Sequence, residues 1–87
     1  MEEDFKPYTL IKSYVKNKWF VSTVLRRSSA LTDTIYFETL VWELDSETKE
    51  RGNLVAMGEA YACESGGMRE HFRIIHELMN GATGEEA

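Results

Sequence analysis

Residues 34–44, TIYFETLVWEL, constrain this chain more than any other stretch. β-Branched and aromatic types at this density predict a strand, and successive side chains of a strand point to opposite faces. Tyr36, Leu40, Trp42 and Leu44 then point one way, and Ile35, Phe37 and Val41 the other. Both faces are apolar. A sheet with one solvated face normally alternates polar with apolar, so this strand calls for cover on two sides.

The rest of the chain supplies one cover. Residues 8–16 (YTLIKSYVK) are rich in strand-forming types, although Leu10, Ile11, Tyr14 and Val15 also fit helical spacing and Pro7 could open a helix. Strand is preferred, because Lys16-Asn17-Lys18 reads as a tight turn and Asn tolerates the left-handed conformation such turns need. Residues 19–27 are a second strand, with Trp19, Val21, Thr23 and Leu25 on one face and Phe20, Ser22, Val24 and Arg26 on the other. SSALTD (28–33) breaks the pattern as a loop, and DSETKERG (45–52) is a hairpin loop before a fourth strand at 53–62. In that strand Leu54, Ala56, Gly58 and Ala60 share a side, and their small size leaves room for a helix to lie against it.

Residues 63–67 (CESGG) read as a loop, and 68–80 (MREHFRIIHELMN) as an amphipathic helix. Its apolar arc is Met68, Phe72, Ile75 and Met79, flanked by Leu78 and Ile74. Arg69, Glu70, Arg73, Glu77 and Asn80 take the opposite arc. Gly81 suits the left-handed position that stops a helix. The expected fold is α+β: an antiparallel β-meander of about four strands with one C-terminal helix packed on one face. Its 87 residues suit one domain, spanning 8–80, with frayed ends at 1–7 and 81–87.

One helix covers one face. The other would show Tyr36, Leu40 and Trp42, with Trp19 nearby, and a large apolar patch on a small protein marks an interaction surface. The alternative is that the N-terminal segment or the 28–33 loop folds across it, or that sheet twist hides it.

Composition narrows the setting. Hydrophobic residues make up 43%, the mean hydropathy is -0.40, and no apolar run approaches the ~18 residues of a membrane span. MEEDFKP is acidic where a signal peptide is basic and then apolar, which points to the cytoplasm of a producing or host cell and to no membrane partner. A single cysteine, Cys63, staples nothing. The net charge of -5 is uneven: residues 1–27 carry +3 and residues 28–87 carry -8.

Chemistry is thinly signalled. His71 and His76, five apart, diverge around a helix and cannot share a metal ion, whereas i,i+4 spacing could. His71 falls in the apolar arc and reads as a packed or hydrogen-bonded core residue. Cys63 lies just before a helix, a place that lowers a thiol pKa, but no orienting group or oxyanion motif accompanies the Cys63/His71 pair. Ser65-Gly66-Gly67 lacks the lysine and spacing of a phosphate loop, and reads as a tight turn with Ser65 or Gly67 capping. No catalytic residue, metal or cofactor is expected. Lys16, Lys18, Trp19, Arg26 and Arg27 mix cations with an aromatic as single-strand binders do, although the overall acidity opposes phosphate.

The runs WFVST (19–23), YFETLVWELD (36–45) and SGGMREHFRII (65–75) resemble small uncharacterised proteins of bacteriophages and prophages. That resemblance implies an accessory factor, such as an inhibitor of a host enzyme or of a defence system of the anti-CRISPR kind. It carries no functional residues. The expectation is a non-enzymatic protein-binding module. Trp19, Tyr36, Leu40 and Trp42 would anchor the partner, and Glu38, Glu43, Asp45 and Glu47 would steer it as an acidic rim. The partner would be a second copy of the chain or a basic host protein. The runner-up is a small nucleic-acid-binding module using segment 14–27.

Overall fold

A computed structural model describes residues 7–27 and 34–81. The expected frayed ends, apart from Pro7 and Gly81, and the expected 28–33 loop lie outside the described residues. Four strands precede one helix: β1 (Tyr8–Val15), β2 (Trp19–Arg27), β3 (Ile35–Leu44), β4 (Arg51–Met57) and α1 (Glu64–Met79). The strands form one sheet in the order β1-β2-β3-β4, each antiparallel to the next. This is the α+β meander that the sequence implies.

Segment 8–16 resolves as strand. The turn after it takes Lys16 and Asn17 through φ of 54° and 57°, with the Lys18 N–H donating to the Val15 carbonyl at 2.9 Å. Two consecutive left-handed residues match the twist of the flanking strands. At the other hairpin, Asp45 Oδ1 accepts the N–H groups of Glu47 (2.8 Å) and Thr48 (3.0 Å), and Lys49 closes the turn at φ 64°. Lys49 Nζ then donates to Asn17 Oδ1 at 2.6 Å, joining the two turns at one end of the sheet.

The fourth strand begins two residues before the expected 53 and ends five before the expected 62. Its pairing with β3 is irregular on both sides of Trp42, so Val41 faces Ala56 while Trp42 faces Leu54. An extra residue on one strand reverses side-chain parity. Leu54 therefore leaves the side that Ala56 occupies. Beyond Met57 only Gly58 and Tyr61 still bond to β3.

The helix starts four residues earlier than expected, with Cys63 as its N-cap, so Ser65, Gly66 and Gly67 form its first turn rather than a loop. The glycines are there for closeness. A Cβ on Gly67 would stand 2.9 Å from Phe37 Cβ, and one on Gly66 2.8 Å from Tyr61 Cβ. At the far end Gly81 takes φ 74° and donates to the Leu78 carbonyl at 3.2 Å, as a left-handed stop requires.

The buried arc of α1 is also not the expected one. Gly66, Gly67, Glu70, His71, Ile74 and Leu78 are buried, while Phe72 and Met79 are 51% and 57% exposed. The helix is turned by about 100°, one residue's worth. Polar contacts set that angle. Glu70 Oε2 accepts the Glu59 N–H at 2.9 Å, and Arg73 forks onto both Glu70 oxygens at 2.7 and 2.8 Å. His71 lies under the sheet, its Nε2 2.9 Å from Ser13 Oγ and its Nδ1 2.9 Å from Thr23 Oγ1. Around these, Val15, Val21, Val41, Ile74 and Leu78 make the core, with Trp19 and Ile75 packed against it.

Candidate functional site: the open sheet face

Strand register sorts the sheet into two faces. Val21 pairs with Val41 and Thr23 with Thr39, and these meet α1. The residues between them point the other way. No element among the described residues lies on that second face. Its rows run across the strands. Tyr14, Phe20, Trp42 and Leu54 are successive partners, and so are Lys12, Ser22, Leu40 and Met57. A third row pairs Val24 with Glu38, and a fourth pairs Arg26 with Tyr36.

The face is a set of rings around a low floor. Tyr14 and Phe20 ring centroids are 5.1 Å apart, and the Arg51 guanidinium lies over Trp42 at 4.4 Å and over Phe20 at 6.0 Å. Ser22 and Leu40 are buried between their taller neighbours. The result is a groove of about 790 Å³ lined by Phe20, Ser22, Val24, Leu40 and Trp42, with Lys12, Arg26 and Arg51 among the groups around them. Tyr14, at 62% exposure, and Leu54 and Met57 continue the apolar surface outward. The Trp42 indole N–H is buried with no acceptor among the described residues.

The sequence-derived site residues divide between faces. Tyr36, Leu40 and Trp42 share the open face: Tyr36 and Trp42 are half-buried, and Leu40 forms the floor. Trp19 does not join them. It points to the α1 side and packs on the core, with Lys18 Nζ 4.7 Å above its ring. The acidic residues do not form a rim. Glu38 lies on the open face, 3.5 Å from Arg26 Nε. Glu43 pairs with Trp19 and so faces the other side. Asp45 is a turn-former, its carboxyl held below the ordinary range by the Thr48 and Glu47 N–H groups. Glu47 is exposed in that turn.

The nucleic-acid set is likewise spread out. Lys16 and Lys18 flank the first turn, whereas Arg26 and Arg27 end β2, roughly 25 Å away along the strand. Sequence reasoning missed Phe20, Lys12 and Arg51 as members of one site. The alternation in β2 exposed Phe20, but only strand register could place Lys12 and Arg51 around it.

Elsewhere, Cys63 is exposed at the helix start, and the Ser65 hydroxyl followed by the Gly66 N–H holds its thiol below the ordinary value. His71 is sealed on the core side with both ring nitrogens engaged, and burial pushes its pKa down. The two do not form a nucleophile–base pair. His76 is exposed, pointing away from His71. No helix among the described residues is long and apolar enough to cross a membrane.

Fold and face together define an α+β meander with a helix on one sheet face and an aromatic second face that no described element covers. No family model, curated protein or solved structure matches the chain.

Proposed function

We propose that this protein is a non-enzymatic protein-binding module that grips its partner with the open sheet face. One observation carries the reading. Phe20, Tyr36, Leu40, Trp42, Leu54 and Met57 form a run of bulky apolar side chains on the face that no described element covers, although Trp19 and Phe37 already fill the helix side. Aromatic residues in partly desolvated surroundings dominate binding hot spots. The resemblance to phage accessory proteins supports an inhibitor or adaptor over a catalyst. A partner seated here would lie across the Tyr14–Phe20–Trp42 row.

The experiment compares the wild-type chain with two variants changed only at exposed positions. One is Tyr14→Ser/Leu54→Ser/Met57→Ser on the open face, and the other is Phe72→Ser/Met79→Ser on the helix. Each is used as bait in an extract of the producing cell and run in sedimentation equilibrium. The reading expects a retained protein, or a self-association, that survives the helix changes and is lost with the open-face changes. A strict monomer that retains the same proteins in all three forms refutes it.

A further inference from the structure

We infer that the groove on the open face takes an acidic segment of the partner protein, one in which carboxylates alternate with apolar side chains. The inference rests on the protein-binding reading and names the chemistry of the partner. Although the chain carries a net charge of -5, this face does not share that sign. The cations lining its groove are Lys12, Arg26, Arg27 and Arg51, and the face's one acid among the described residues, Glu38, is already paired with Arg26. The acids of the described residues lie elsewhere: on α1 (Glu64, Glu70, Glu77), beside it at Glu59, at Glu43 on the other face, and in the second turn. Opposite charges across an interface steer encounter and fix register, so a basic partner would meet repulsion here and an acidic one attraction.

The shape refines the chemistry. Lys12, Arg26 and Arg51 arrive from three different strands around a floor of Ser22 and Leu40 flanked by Val24 and Phe20. An extended chain directs alternate side chains to opposite sides, which lets apolar side chains enter the floor while backbone and carboxylates meet the edge. Arg51 offers a planar fork suited to a carboxylate. The buried Trp42 N–H has no acceptor among the described residues, and buried donors normally have one. Single-stranded nucleic acid fits less well. It needs ring faces open for base stacking, and the Trp42 ring is already covered by Arg51 at 4.4 Å.

The test is an NMR titration of the uniformly 15N-labelled full chain with a synthetic heptapeptide of alternating glutamate and leucine. A lysine/leucine peptide and a twelve-residue oligothymidylate serve as comparison ligands. The inference expects saturable shifts at the Trp42 indole N–H and at the amides of Ser22, Val24 and Leu40, weakening steeply as salt rises. The Lys12→Glu/Arg51→Glu variant, checked for native circular dichroism, is expected to bind at least tenfold more weakly. An absence of saturable shifts, an equal response to the lysine peptide, or shifts produced by the oligonucleotide alone overturns it.

The two proposals fail differently. If the charge-reversal variant captures the same cellular partner as the wild type while the Tyr14→Ser/Leu54→Ser/Met57→Ser variant loses it, the acidic-segment inference falls and the protein-binding reading stands. If neither variant loses the partner, both fall.

Discussion

The two faces of the sheet are built by opposite rules. Between Trp19 and Phe37, the face under α1 uses small and hydroxyl-bearing residues: Val15, Val21 and Val41 beside Ser13, Thr23 and Thr39. It buries a histidine at 0% exposure and satisfies it with two hydroxyls, one of which is 2.6 Å from a third. The open face uses rings and long aliphatics, and Arg51 lies over two of those rings. Small residues let a helix approach closely, so the covered face earns its stability from fit. Large residues stand out from the sheet, where no described element meets them. The difference teaches that hydrophobic bulk does not by itself mark the core of this chain; polar satisfaction and closeness do.

The comparison breaks most directly at Leu78, buried to 1% in the covered cluster. Leu78→Ala is expected to cost about 2–5 kcal/mol in unfolding free energy, the range for leucine cavities. A loss below 1 kcal/mol in denaturant titration would show that the helix is not the sealing layer. Next comes Glu70, which is 2% exposed and holds both the Glu59 N–H and the Arg73 guanidinium. Glu70→Ala leaves the part-buried Glu59 N–H without its acceptor and the Arg73 fork without its partner, with an expected loss of about 1–3 kcal/mol. Glu70→Gln can keep the bond to Glu59 and is expected to lose less. If the two variants unfold at the same denaturant concentration, the contact does not set the helix angle.

His71 gives the covered face a pH signature. Burial lowers its pKa below the ordinary 6.5, so the folded state holds it neutral while the unfolded chain takes up a proton first. Stability is then fully present above about 6.5 and falls as pH drops towards the depressed folded value, by at most about 1.4 kcal/mol per pH unit. The Glu70 and Asp45 carboxyls are also held below their ordinary values, so their contributions fade only at lower pH. Thermal unfolding between pH 6.5 and 5 isolates the histidine: the wild type is expected to lose stability across that window and His71→Gln to stay flat. Equal slopes in the two proteins would mean that His71 titrates in solvent.

The strands, their order and both turns were legible because alternation and turn chemistry are local. The helix phase was not. Periodicity places Met68, Phe72 and Met79 inside, with His71 in the same arc, and puts Glu70 outside. Glu70 turns inward because its partner, the Glu59 N–H, comes from another segment, which no helical wheel contains; His71 lies inside as its place in the arc implies, bonded to Ser13 and Thr23. The same limit hid the site. The two-sided apolar pattern of β3 announces an open face, but nothing in the sequence fixes which β3 residue stands opposite Trp19. Its register partner is Glu43, on the other side. The acidic rim failed similarly: carboxylates near Trp42 in the chain fall into a turn or across the sheet, and the cations that do reach the groove arrive from β1 and β4.

The smallest expected effect is on the open face, and it gives the comparison its sharpest form. Leu54 and Met57 are 42% and 56% exposed on β4 and lose little contact when truncated. Leu54→Ser and Met57→Ser are each expected to change unfolding free energy by no more than about 0.5 kcal/mol, as surface substitutions do. Leucine and methionine to serine would be costly in a core, so near-neutrality here says that folding does not need these side chains in their places. A loss of 2 kcal/mol or more from either would mean that the open face is covered within the folded protomer, and the docking reading would lose its surface. Near-neutral stability together with lost partner capture would separate the two faces by role: one holds the chain together and the other meets a partner.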